Sequence, residues 1–193
     1  GAVTRAFPIP GLAEVAIGMK TVEEAVSVRN WVLERIEVAS VLDDPDARRR
    51  ALTVVVVGGG FAGVETISEL EDMAREAVNR NDRLSVSDLR FVMIEAAPRI
   101  MPEVPEDRAE KVVAELRARG IEVLLNTSLS DATDGHLQLI NMTDKSPAGE
   151  MDTDTLIWTA GVAASPMLKN TDFPIDERGR VRVNADLRVA GDN

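Results

Sequence analysis

Thr53-Val54-Val55-Val56-Val57 runs directly into Gly58-Gly59-Gly60-Phe61-Ala62-Gly63-Val64-Glu65. Four consecutive valines have no polar face, so the segment predicts a strand buried on both sides, as in a parallel sheet. Gly58, Gly60 and Gly63 then fit the spacing G-x-G-x-x-G. Beyond them Val64, Ile67, Leu70, Ala74 and Ala77 recur at helical intervals. Strand, glycine turn and helix in this order predict a site for a dinucleotide. The turn at Gly58 has to be tight, and a side chain at Gly60 would block the approach of a pyrophosphate. Gly63 lets the helix lie close to the strand, and the helix N-terminus offers free N–H groups to the phosphates.

Working outward from that turn, the other chemistries thin out. The chain has 193 residues, room for one large domain or a domain with part of another. It contains no cysteine, which removes disulfides, thiolate metal sites and thiol catalysis. A single histidine makes a conventional metal cluster unexpected. His136, in Asp134-Gly135-His136-Leu137, reads as a structural or surface residue, since no motif sets a partner beside it. No apolar run is long enough to cross a bilayer and no signal peptide opens the chain. Gly1-Ala2 is compatible with an expression scar.

The net charge of −11 argues against nucleic acid, whose phosphates demand a basic surface. Thirty-three acids face 22 bases, and only Lys20, Lys111, Lys145 and Lys169 are lysines. An acidic, lysine-poor surface is compatible with a salt-loving source, where salt screens the repulsion between carboxylates. A GC-rich genome that prefers arginine produces the same bias.

Upstream of the valines, residues 1–20 carry Pro8, Pro10 and Gly11 and predict an extended lead-in. Thr21 with Glu24 is a capping box, opening a helix whose Ala25, Val28, Val32, Ile36 and Ala39 share a face. Trp31 on it reads as packing. Asp46 to Arg50 predicts a solvated linker.

Downstream, the glycine helix is expected to run to about Val78 and a second buried strand to cover Phe91–Ile94, ending on Glu95. An acid there accepts hydrogen bonds from the adenosine ribose and repels a 2′-phosphate, which favours NAD over NADP. Pro105-Glu106-Asp107 opens a helix, Arg117 to Gly120 closes it, and Ile121–Leu125 is a third strand. The alternation predicts right-handed crossovers and a parallel sheet. Runs around Leu129 and over 136–141 then flank a turn and predict antiparallel strands. Residues 144–150 predict another turn. Thr155–Trp158 predicts a strand that delivers Ala160-Gly161-Val162 to its carboxyl end, where ligands bind in such sheets. Val181, Val183 and Leu187 alternate with polar residues and predict a partly exposed strand.

As a set, these motifs resemble the flavoproteins with two dinucleotide-binding domains, and most closely the type II NADH dehydrogenases. The pieces that carry the resemblance are residues 56–66, Ser68-Glu69-Leu70, residues 94–102, Trp158 to Pro166 and Asp176 to Val183. The flavin's own glycine motif and the second flavin segment are not matched. Ala190-Gly191-Asp192-Asn193 is similar to the latter only on the surface, and aligns better with the turn before it.

The resemblance implies a Rossmann-like α/β fold with a parallel sheet and a small antiparallel meander. It implies a lead-in and connecting helix over 1–50, an NAD(H)-binding domain over 51–165, and a return toward an FAD domain over 166–193. Gly58, Gly60, Phe61, Ala62 and Gly63 would hold the pyrophosphate, and Glu95 the ribose. Glu65, Ala160, Gly161 and Val162 would lie at the nicotinamide end. None of these is an acid–base catalyst: hydride passes from NADH to FAD, and electrons pass on to a quinone. The isolated segment is expected to bind NADH without an FAD site, and its parent to lie peripherally on the cytoplasmic face of the cell membrane. A ferredoxin- or rubredoxin-reductase relative is the nearest alternative enzyme, and an NAD-sensing module the non-catalytic one.

Overall fold

A computed structural model describes residues 2–5 and 7–191. The chain packs as two compact units, one from Gly161 onward together with the first five residues, the other from Ala6 to Ala160. In chain order the elements begin with β1 (Ala2–Thr4), α1 (Leu12–Val15), β2 (Ala16–Gly18), α2 (Val22–Val41) and α3 (Pro45–Ala51). Next come β3 (Thr53–Val57), α4 (Phe61–Asn79), β4 (Arg90–Ile94), α5 (Glu106–Ala118) and β5 (Glu122–Leu124). A meander of β6 (Thr127–Asp131), β7 (His136–Asn141) and β8 (Pro147–Asp152) leads to β9 (Thr155–Trp158) and β10 (Val162–Ala164).

The larger unit is built on a five-stranded parallel sheet of order β2-β9-β3-β4-β5. The valine strand β3 lies in its middle, and every residue from Thr53 to Val57 is buried. Alternate side chains leave a strand on opposite faces. Val54 and Val56 join Val28, Val32 and Ile36 of α2 and Ile67 and Leu70 of α4 in one cluster. Val55 and Val57 join Leu129, Leu137 and Leu139 of the meander in another. Helices cover one face and a three-stranded antiparallel sheet covers the other. At roughly 1.5–3 kcal/mol for each fully buried valine, the four outweigh any single helix cap or surface ion pair.

Local chemistry sets the helix boundaries. Thr21 and Glu24 form the reciprocal capping box that opens α2. Trp31 packs and donates its indole N–H to the carbonyl of Asp154 at 2.9 Å. On α4, Glu71 is buried and binds Arg119, the residue that caps α5. In the smaller unit, β1 and β10 pair antiparallel, and isolated bridges join Ile175 to Val181 and Val183 to Val189.

Four local expectations are corrected. The lead-in is not merely extended, since Ala16–Gly18 is an edge strand that pairs with Leu156–Trp158. Asp46–Arg50 is not a linker but most of helix α3, with Asp44 as its N-cap, Pro45 in its first turn and arginines at its carboxyl end. Those residues satisfy the dipole at both termini, which lets so polar a sequence hold a helix. Pro147 to Glu150 belongs to strand β8, and the turn falls before it, where Lys145 has φ 62°. Residues 181–187 form no strand; Val183 and Leu187 are exposed there. Gly1, at the possible scar, and Asp192 and Asn193, which close the 190–193 string, lie outside the described residues, as does Ala6.

Candidate functional site

The glycine turn joins the carboxyl end of β3 to the first turn of α4, at the end of the sheet where β4 and β9 also finish. Gly58 has φ 112°, a conformation that favours glycine. A Cβ there would also meet the Thr159 hydroxyl at 2.7 Å and the Ala160 nitrogen at 2.8 Å. At Gly63 a Cβ would collide with the carbonyl oxygen of Gly58, so glycine is demanded by the closeness of helix to strand. Gly60 differs. Its φ is −74°, and a Cβ there would meet no protein atom within 4 Å. The fold itself does not require glycine at 60, and the space in front of it is open.

Gly60 is the N-cap of α4, and no side chain caps that end. The first turn of α4 holds no acid, whereas α2 and α3 are capped by Thr21 and Asp44 and carry acids in their first turns. The N–H groups of Phe61, Ala62 and Gly63 therefore present an uncompensated positive helix end. Phe61, Ala62 and Glu65 are exposed there. This is a chemical match for a diphosphate.

Glu95 follows β4 and turns back to the loop. Its Oε2 accepts the Gly59 N–H at 2.6 Å, and its Oε1 accepts the Ala97 N–H at 2.7 Å. Ala160 lies against Gly58, within the same unit. Gly161 and Val162 belong to the smaller unit, where both are exposed. Two participants were not singled out from sequence. Thr159 donates its hydroxyl to the carbonyls of Val57 (2.9 Å) and Gly58 (3.0 Å), fastening β9 to the turn. Gly59 is the other, held between Glu95 and Ile100. The available signal for it was the middle glycine of the run at 58–60, which the G-x-G-x-x-G spacing does not use.

The remaining features are structural. His136 has partners after all, with Nδ1 2.9 Å from Asp152 and Nε2 3.5 Å from Glu150 across the meander. The hydrogen bond to Asp152 raises its pKa above the ordinary histidine value. A cleft of about 550 Å³ opens at the opposite end of the sheet, beside Trp31, Arg35, Arg50 and Asp154. Its Asp154 already pairs with Arg50 at 2.6 Å, and ligands of such sheets bind at the strands' carboxyl ends. Among the described residues, no group of three or more His, Cys, Asp or Glu could hold a metal, and no helix is long and apolar enough to cross a membrane.

The family model for pyridine nucleotide-disulphide oxidoreductases matches residues 1–193. Among curated proteins the chain is similar to a type II NADH:quinone oxidoreductase, NdhA, of Mycobacterium tuberculosis. The two are 34% identical over 199 residues, covering 99% of this chain and 42% of the relative. It is 30% identical to a probable NADH dehydrogenase of Dictyostelium discoideum, covering 98% of this chain and 41% of that protein. The chain thus spans about two fifths of these relatives' length. Among solved structures, NDH2 of Plasmodium falciparum in complex with NADH superposes with a TM-score of 0.83 at 22% identity, over 95% of this chain and 37% of that one. At that identity the match establishes a shared fold.

Proposed function

Because the chain belongs to the pyridine nucleotide-disulphide oxidoreductase family, we propose that it is the NADH-binding part of a flavin-dependent NADH dehydrogenase of the quinone-reducing type. The observation that carries this reading is the open space at Gly60, ahead of an uncapped helix end. A glycine that the protein's own packing does not need is explained by a ligand's backbone-close approach.

The residues divide the work. The N–H groups at Gly60, Phe61, Ala62 and Gly63 hold the pyrophosphate, with Gly58 making the turn. Glu95 accepts the adenosine ribose hydroxyls on the lone pairs that Gly59 and Ala97 leave free, and its charge repels a 2′-phosphate. Glu65 and Ala160 serve the nicotinamide end. A flavin, when bound by the parent protein, supplies the hydride acceptor and the route of electrons to a quinone. This chain contributes binding and orientation, and no acid–base group. In that reading, residues 1–50 and 166–193 lead from and return to an FAD domain, around a nucleotide domain over 51–165. The names of the relatives, which are NADH dehydrogenases and NADH:quinone oxidoreductases, support the assignment. A peripheral place on the cytoplasmic face of the membrane is part of the same proposal.

Calorimetric titration of the chain with NADH and NADPH tests it. Saturable NADH binding with weaker NADPH binding is expected; no saturable binding, or a preference for NADPH, overturns it. Replacing Glu95 by Ala should narrow the preference by about 1–3 kcal/mol, the scale of a hydrogen bond to a charged group.

A further inference from the structure

Gly59 is enclosed on three sides by the segment that follows Glu95. Its N–H donates to Glu95 Oε2 at 2.6 Å, and its carbonyl accepts the Met101 N–H at 2.8 Å. A Cβ on it would meet Ile100 Cγ2 at 2.6 Å and Glu95 Oε2 at 3.1 Å. Ile100 has no exposure, and Met101 is held at φ 47°, a left-handed conformation that non-glycine residues adopt only when their surroundings impose it.

We infer that Gly59 and Ile100 are positioning residues, through which the Glu95 side chain shapes the phosphate loop before any nucleotide arrives. The inference rests on the dinucleotide reading above and adds to it a coupling between the ribose and pyrophosphate subsites. The Gly59 amide is spent on Glu95, so it is not one of the phosphate donors; it aims the Gly60–Gly63 amides by fixing the turn just ahead of them. Each carboxylate oxygen of Glu95 already answers one backbone N–H. A glutamine has a single acceptor oxygen and an NH2 group, so at position 95 it would set a donor against either Gly59 or Ala97. Neutralising Glu95 therefore loosens the loop as well as removing a charge. Ile100 matters because its branched methyl packs against the same face of Gly59 as the Glu95 side chain, 2.6 Å from where a Cβ would stand.

The test uses the whole chain and two readouts. In the nucleotide-free protein, the Gly59 and Ala97 amides should exchange slowly with solvent. Glu95→Gln should speed at least one of them by about tenfold, the loss of one charge-assisted hydrogen bond, with other core amides unmoved. Ile100→Leu conserves volume but moves the branch away from Gly59. It should weaken ADP-ribose binding about three- to tenfold, the effect of a displaced loop donor, with the fold retained and the melting temperature lowered by only a few degrees. If Ile100→Leu fails to fold, the Glu95→Gln exchange result decides alone. Unchanged exchange in Glu95→Gln, or unchanged ADP-ribose affinity in a folded Ile100→Leu, overturns the inference while leaving the dinucleotide reading intact. No saturable ADP-ribose binding by the unaltered chain overturns the dinucleotide reading itself, and the inference with it.

Discussion

Glu71 in α4 and Arg119 at the end of α5 meet at 2.5 Å, and the side chain of the acid is only 5% exposed. Arg75 binds the other oxygen of the same carboxylate, and Arg119 also donates to the Ser68 carbonyl at 2.9 Å. The pairing raises the pKa of Arg119, through its hydrogen bond to Glu71. One buried acid thus fastens two of the helices that cover the sheet.

Glu71→Ala should cost about 2–3 kcal/mol, below the range for a fully buried pair because both guanidinium groups can turn to water. Arg119→Ala should cost less, about 1–2 kcal/mol, since Arg75 keeps the acid partnered. Urea unfolding of the two variants checks the order; a larger loss from Arg119→Ala would contradict it.

The glycines of the turn should separate into two kinds. Gly63→Ala drives a Cβ into the Gly58 carbonyl and should lower stability by about 3 kcal/mol or more. Gly60→Ala meets open space and should leave stability within about 1 kcal/mol, while NADH affinity falls by about tenfold or more. Thermal melts and NADH titrations of the two variants check this, and a Gly60→Ala protein with full affinity would remove the best support for the site.

That contrast also marks what was legible beforehand. The Thr53–Val57 strand, the glycine turn, α4 and Phe91–Ile94 could be read because their signals are local: an unbroken apolar run and a fixed spacing. Strand β2 could not, because three residues of Ala-Ile-Gly become a strand only beside β9, whose position depends on everything between. Helix α3 was legible in principle, with Asp44 and Pro45 before three arginines, but its charge outweighed its caps. Pro147 and Gly149 hid β8 in the same way, by suggesting a turn inside what is an edge strand. The partners of Glu95 were hidden because hydrogen bonds to backbone leave no mark in the sequence.

Acid and base should act on different parts of the meander. The raised pKa of His136 means that its pairing with Asp152 stabilises the fold fully below the unfolded value, about 6.5, and is lost as the pH climbs through the raised value. Asp131 and Asp144 accept hydrogen bonds from Thr133 and Ser146 and have lowered pKa values. Their contribution is present above about 3.8 and vanishes as the pH falls through the lowered values. Melting temperatures across pH for His136→Gln and Asp131→Asn should show each loss confined to its own side, and a His136→Gln deficit that persists at high pH would contradict the assignment.

A chain with net charge −11 repels itself, and salt screens that repulsion over about 10 Å at 0.1 M. The melting temperature should therefore rise from low to molar sodium chloride. A flat or falling profile would show that the acidic surface is not a burden the fold carries.

Strand β9 is flanked by β2 on one side and β3 on the other, yet it is made from Thr155–Trp158, after every other strand of that sheet. During synthesis on a ribosome, the first half-sheet must therefore wait with β3 unpaired along one edge until the last strand emerges. Pairings between distant parts of a chain form late and slowly. An unpaired edge of valines is the kind of surface on which nascent chains stick to one another. The expected consequence is a chain more prone to stick to its neighbours while it is being made than once it is finished. Stopping translation just before Thr155 should leave an aggregating chain, and stopping just after Ala160 should release a soluble one.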